Sequence, residues 1–346
     1  MTTMTSAPRD PAAAPPPRRR GSVRRTSTLL MTWPDGPGSG LHLDGRGRDL
    51  LTTADHAAPG PACTWPAATA PADTILATAD LRVRTGAERD IISIASEPAH
   101  AGLKRLVGRK GGGGLRAVIA EELPDQVEQG TPLHLLLDDL AGSTLIAGFA
   151  MFRWVDHLPE LTQLRGRVPR RSMLGVCAGF RPGASSMLAD GTPLAVGHNV
   201  ARVPPLAAAD DPDGWHELDD HPPMAMRRAR RIDVWADGGE LGIDAMFRDS
   251  CWDPDGTEVA VHEYQLLARA DRGTGTLTSI VARPRVLPYA ECPLAAPNAA
   301  WLTDTPLRGL RAEVLRRIRG TDCCTHLNDA LRALAEVPVL AAALPA

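Results

Sequence analysis

Imidazole and thiol side chains that could do chemistry gather toward the end of this 346-residue chain, as His262, Cys292, Cys324 and His326. Neutral imidazole and thiolate are the ligands zinc prefers, in sets of three or four. Taken in order, His262, Cys292 and Cys324, with His326 or Glu263 as a further ligand, would build a nitrogen–sulfur site from a strand, a loop and a helix start. Cys323-Cys324-Thr325-His326 opens a helix, with Thr321, Asp322 or Thr325 as N-cap choices. Backbone N–H groups at such an end favour the thiolate of Cys323 or Cys324. The sequence lacks a paired CxxC, so two other readings stay open. Free cysteine also packs as a small hydrophobe, with His326 capping or packing its helix. Alternatively Cys292 or Cys324 is a nucleophile, with His262 or His326 as its base.

The elements that must position these residues can be read from periodicity. Ile232, Val234, Leu241 and Ile243 alternate with polar residues across Asp237-Gly238-Gly239, a hairpin pattern. Residues 264–270 and 277–281 flank a glycine-containing turn, a second hairpin. After Pro284 and Pro288 the spacing turns helical, at Leu310, Val314, Leu315 and Ile318 and at Leu327, Leu331, Leu334 and Val337. Strands first and helices afterwards predicts an α+β fold.

The chain also repeats itself. Arg24-Arg25 before Trp33-Pro34-Asp35-Gly36 recurs as Arg227-Arg228 before Trp235-Ala236-Asp237-Gly238. Segment 41–49 recurs as 241–249, 75–80 as 266–271, Ser93-Ile94 as Ser279-Ile280, 114–117 as 309–312, and Leu137-Asp138-Asp139 as Leu327-Asn328-Asp329. Matches in one order predict a tandem pseudo-repeat, each half a small antiparallel sheet followed by two or three helices. The divisions expected are a disordered arm at 1–22, an N-terminal repeat at 23–155, a connecting segment at 156–222 and a C-terminal repeat at 223–346. This alignment sets Pro71 against His262, Leu133 and His134 against the cysteine pair, and Leu136 against His326. One working copy and one structural copy follow from it.

From about Val23 onward the chain resembles a bacterial group, the domain-of-unknown-function family 2889. The residues carrying the likeness are His262-Glu263-Tyr264, Pro288-Tyr289-Ala290-Glu291-Cys292-Pro293 and Cys324-Thr325-His326-Leu327-Asn328-Asp329. That family implies no established activity. Residues 264–337 are also distantly similar to iron–sulfur cluster scaffolds of the NifU type, in the succession of hairpin, junction cysteine, helix pair and a cysteine opening a last helix. The likeness implies Cys292 and Cys324 as two of three cluster ligands. The first cysteine of that family is absent, and His262 lies near its place, which leaves room for a mononuclear metal.

Other segments weigh less. Gly111 to Gly114 lacks the Gly-Lys-Ser/Thr ending of a phosphate loop and reads as a connector. Residues 176–186 hold Cys177 among small residues, either as a buried linker thiol or as a reactive one lining a cleft. Trp215-His216-Glu217 and Asp219-Asp220-His221 read as solvated loop, Asp138-Asp139 as helix surface, and His134 as a packed or exposed helix histidine.

Composition bounds the rest. Hydrophobic residues at 43% and charged residues at 23% are ordinary for a globular chain. A net charge of −3 excludes a basic nucleic-acid binder. Apolar runs such as 145–151 and 339–344 fall short of the ~20 residues of a membrane span. Arginine and alanine abound while Lys104 and Lys110 are the two lysines, which fits a GC-rich bacterial genome. Residues 1–21 lack the apolar core of a signal peptide, so a cytoplasmic protein with reduced thiols is expected. The function expected is that of a metal-binding protein, a small-molecule enzyme or a metal or cluster carrier. Zinc or another transition metal ranks ahead of an iron–sulfur cluster, and the expected partner is a small-molecule ligand, with neither nucleic acid nor membrane. The alternative is a metal-free binding or structural protein with buried thiols.

Overall fold

The computed structural model describes residues 6–53, 73–164, 173–188 and 199–345. Pro71, which the sequence alignment sets against His262, lies outside them, as does Cys63.

Four strands come first: β1 (Ser22–Thr32), β2 (His42–Leu51), β3 (Thr74–Thr85) and β4 (Ile91–Glu97). Five helices follow: α1 (Leu115–Glu122), α2 (Pro124–Gln129), α3 (Pro132–Ile146), α4 (Phe149–Trp154) and α5 (Pro159–Leu164). A connecting region contributes the short β5 (Ala201–Arg202). Then come β6 (Met226–Asp237), β7 (Glu240–Trp252), β8 (Glu258–Asp271) and β9 (Leu277–Val286), and after them α6 (Leu310–Arg317), α7 (Thr325–Ala333) and α8 (Val337–Ala342). The fold is α+β, as the order of periodicities predicts.

The separate half-sheets expected from the repeat are not what forms. β1 and β6 pair antiparallel from Ser22↔Trp235 to Met31↔Met226. Both meanders thereby join one nine-stranded antiparallel sheet, ordered β4-β3-β2-β1-β6-β7-β8-β5 with β9 also on β8. Pairing the first strands removes two edges whose backbone groups would otherwise go unbonded.

Strand alternation sorts the side chains. On one face Leu29, Met31 and Leu43 pack under α3, while Val234, Ile243, Phe247, Tyr264 and Leu266 pack under α7 and α8. The other face is covered too, where Trp215 sits on Ala229 and Met246. Residues 6–21, expected as a solvated arm, run over this face. Asp10 N–H donates to Arg285 O at 2.9 Å, Leu287 N–H to Pro8 O at 3.2 Å, and Arg18 is buried against Asp211 at 2.6 Å. Arg18 buries there by pairing with Asp211, a tertiary effect that composition does not register, while Pro16, Pro17, Arg19 and Arg20 stay exposed. Two covered faces explain why every residue of β1 is buried.

The stretch Pro132–Trp154 has a mean hydropathy of 1.5 and is long enough to cross a membrane, although 67% of its apolar window is buried inside the protein. Asp138 and Asp139, expected on a helix surface, are buried.

Candidate metal centre

Period two along β8 turns His262 and Tyr264 toward the helices, and Glu263 toward the opposite face. There Glu263 accepts from Arg248 Nε at 2.7 Å and from Ala12 N–H at 2.5 Å. In the β7–β8 ladder His262 stands across from Asp249, next to a bulge that shifts the following pair to Ser250↔Ala260. His326 enters from above, at the second residue of α7. The cap of that helix is Cys324, with no side-chain cap bond, rather than Thr321, Asp322 or Thr325.

One ligand atom from each of Asp249, His262 and His326 lies within 4.8 Å of the others. Asp249 Oδ2 is 3.6 Å from His262 Nδ1 and 3.7 Å from His326 Nε2. The two rings stack with centroids 3.4 Å apart at 15°. His262 Nδ1 is buried with no hydrogen-bond partner. Both imidazoles are held neutral. Burial, then the Arg228 and Arg230 guanidinia, pushes His326 down to about 3. Burial, with His326 and Arg228 beside it, pushes His262 well below its ordinary value although Asp249 opposes the shift. Neutral imidazole is the form that binds a metal.

Asp249 is anchored from below. Arg228 Nε donates to its Oδ1 at 2.8 Å and Nη2 to its Oδ2 at 3.0 Å. Arg228 Nη1 reaches Asp139 at 3.4 Å and Asp329 at 3.1 Å, while Arg230 donates to Asp139 at 2.5 and 2.7 Å. Arg116 bonds Asp329 at 2.6 Å and Arg332 bonds Asp138 at 2.7 Å. These charges form a paired layer between sheet and helices. Removing one partner from such a pair strands the other, which is costly. A carboxylate has about four acceptor positions, so Oδ2 can bond Arg228 and still face the imidazoles.

The first meander has the same frame without the imidazoles. Arg25 donates to Asp49 with both contacts at 2.6 Å, and Arg25 Nη1 is 3.2 Å from Glu336. Across from Asp49 stands Ala77, again beside a bulge. Ala77 therefore holds the place of His262, not Pro71 as the sequence alignment has it. Likewise Leu81, not Ile75, corresponds to Leu266, since they stand opposite Gly45 and Ala245. Residues 75–80 and 266–271 match in composition but not in register.

Among the described residues, Cys292 and Cys324 are not members of the ligand group formed with His262 and His326. They lie in the helix-side core with Cys177 and Cys323. All the described cysteines are free. Burial pushes the Cys292 thiol well above its ordinary value and raises that of Cys324, outweighing the helix N-terminus expected to favour thiolate. Asp249 is the residue that sequence reasoning did not place in the site. It was visible there as the last residue of segment 241–249, which repeats 41–49, and its hairpin register against His262 is the signal that would have found it. His216 is not in solvated loop: it is buried between Thr26 and Thr28, at 2.9 and 2.8 Å. His134 bonds Glu336 at 2.9 Å, in the interior.

Residues 226–340 match the model of a family described as "Protein of unknown function (DUF2889)". The matched stretch runs from β6 into α8 and contains Asp249, His262 and His326. No curated protein and no solved structure matches the chain.

Proposed function

We propose that the chain binds a transition-metal ion of the zinc class through Asp249 Oδ2, His262 Nδ1 and His326 Nε2, and uses it on a small-molecule ligand or as cargo. The observation that carries this reading is the buried, partnerless His262 Nδ1, aimed at a carboxylate and a second neutral imidazole. A buried nitrogen without a partner is rare and calls for an occupant. Three protein ligands leave a coordination position open for water or substrate, the arrangement of catalytic rather than structural zinc. A bound zinc-class ion would supply Lewis acidity at that position. Arg228 holds Asp249 oriented through two hydrogen bonds, the role that outer partners have in metal sites.

The two meanders, we further infer, descend from one duplicated unit, with the site in the second copy. Supporting this are Arg25–Asp49 beside Arg228–Asp249, the bulge after each aspartate, and Gly114 and Gly309 capping α1 and α6 with nearly equal angles. Segments 23–155 and 223–346 would be the two copies, joined by 156–222.

Metal analysis of protein purified without an affinity tag tests the site. About one equivalent is expected, falling at least tenfold in His262→Ala and His326→Ala with the fold intact by circular dichroism. Unchanged metal content in both variants removes these residues from any metal site.

A further inference from the structure

On the sheet face turned away from the imidazoles, residues 12–16 roof a cavity of about 240 Å³. Its floor comes from alternate strand positions. Period two puts Asp244, Met246 and Arg248 of β7 on the face that also carries Gln265 of β8, which stands across from Met246. Hydrogen bonds pin the roof at both ends: Ala12 N–H donates to Glu263 at 2.5 Å, and Pro16 O accepts from Arg24 Nη2 at 2.8 Å. Between these points Ala13, Ala14 and Pro15 pass over the space with small side chains, and Leu206 adds an apolar wall.

One end of the cavity is cationic. Arg248 is buried there. Its Nε donates to Glu263 at 2.7 Å and its Nη1 to Pro204 O at 3.1 Å, and no described residue accepts from Nη2. Arg285 of β9 lines the same cavity, and its Nε is buried with no hydrogen-bond partner. A buried donor without an acceptor is rare and calls for an occupant. Against these two guanidinia stands one buried carboxylate, Glu263, because Asp10, 3.2 Å from Arg285, has a side chain that is 84% exposed. The carboxylate on the floor, Asp244, lies four residues along β7 from Arg248, about 13 Å away. It is taken by Arg231 at 2.7 Å and by Gln265 at 3.2 Å. Met246 lies between the two ends.

We propose that this cavity binds a small organic carboxylate, its charged group on Arg248 and Arg285 and its compact apolar body against Met246, Leu206 and the roof of residues 13–15. Guanidinium donors match a carboxylate in geometry and charge. Apolar walls with a few placed polar groups are the ordinary make-up of a small-molecule site. A 150 Å³ cavity holds benzene, so 240 Å³ has room for about ten non-hydrogen atoms. The sheet separates this site from Asp249, His262 and His326, and it does not depend on the metal centre.

Fluorine NMR titration of the metal-free, full-length protein with 4-fluorobenzoate, an anion of that size, tests this. One molecule is expected to bind per chain, at least tenfold tighter than the neutral 4-fluorobenzamide. Arg285→Gln should weaken 4-fluorobenzoate at least tenfold. Its side chain is 26% exposed and its acidic partner lies in solvent, so the fold is expected to persist. Arg248→Gln should weaken it as well but strands Glu263, so Arg285→Gln carries the test if that variant fails to fold. In the wild type the ligand should slow hydrogen exchange at the Ala13 and Ala14 amides. His262→Ala should bind as the wild type does. No binding overturns the proposal, as do equal affinities for the acid and the amide, or unchanged affinity in Arg285→Gln. Loss of binding in His262→Ala overturns it too, since the anion would then sit at the imidazole centre. Displacement by equimolar inorganic phosphate would overturn the assignment to a carboxylate with an apolar body.

Discussion

The matched aspartates allow a test in which the protein contains its own control. Asp249→Asn and Asp49→Asn each remove one charge from a buried Arg–Asp pair, with side chains that are 0% and 6% exposed. Breaking a buried pair by removing one partner costs about 3–5 kcal/mol. Each arginine keeps other partners: Arg228 has Asp139 and Asp329, and Arg25 has Glu336 at 3.2 Å and Gly130 O at 2.7 Å. The cost should therefore sit at the low end, about 3 kcal/mol for either variant. The variants should differ in their response to metal. His262 faces Asp249 while Ala77 faces Asp49. Zinc at 100-fold its dissociation constant stabilises a folded protein that binds it by about 2.7 kcal/mol. Urea unfolding with and without zinc should show that increment in the wild type and in Asp49→Asn, and lose most of it in Asp249→Asn. An equal zinc increment in both variants would refute Asp249 as a ligand. A large inequality in their metal-free stabilities would refute the structural equivalence of the two pairs.

Other expectations follow from the same layer. His326, held neutral at about 3, binds a proton more readily once unfolded, where its pKa is about 6.5. Its stabilisation is complete above pH 6.5 and declines as pH falls toward 3, by up to about 1.4 kcal/mol per pH unit. His326→Gln should reduce the slope of unfolding free energy between pH 5 and 6 by roughly that amount, and an unchanged slope contradicts the assignment. Gly142→Ala, in mid-helix, would ordinarily gain about 1 kcal/mol. Its Cβ would instead overlap the Arg228 guanidinium and lie 2.6 Å from Asp329 Oδ2, so a fall in melting temperature is expected where Gly148→Ala, with open space around it, shows none. Deleting residues 1–12 removes the Pro8, Asp10 and Ala12 contacts to β8 and β9. Limited proteolysis should then cut the uncovered sheet face faster, and equal rates would mean that the arm contributes no protection.

Much of the architecture follows from local pattern. Alternation at Ile232, Val234, Leu241 and Ile243 gives β6 and β7, and helical spacing at Leu310 and Val314 gives α6, because burial on one face dictates the period whatever lies opposite. The recurrence of Arg24-Arg25 as Arg227-Arg228 and of segment 41–49 as 241–249 was equally legible, and so were His262 and His326 as residues of interest. Three matters were decided in three dimensions. Joining β1 to β6 depends on which edges meet, and both edges are similar in sequence. The place opposite Asp49 belongs to Ala77 because a bulge sets the register, and a bulge leaves no composition mark. The imidazoles turned to a carboxylate because strand alternation fixes which of β7's and β8's side chains share a face, while the entry of α7 fixes what meets them. Ligand chemistry is written in residue types, but a shared centre requires atoms within a few ångströms. That distance is a property of the packed chain, set by contacts between residues far apart in sequence.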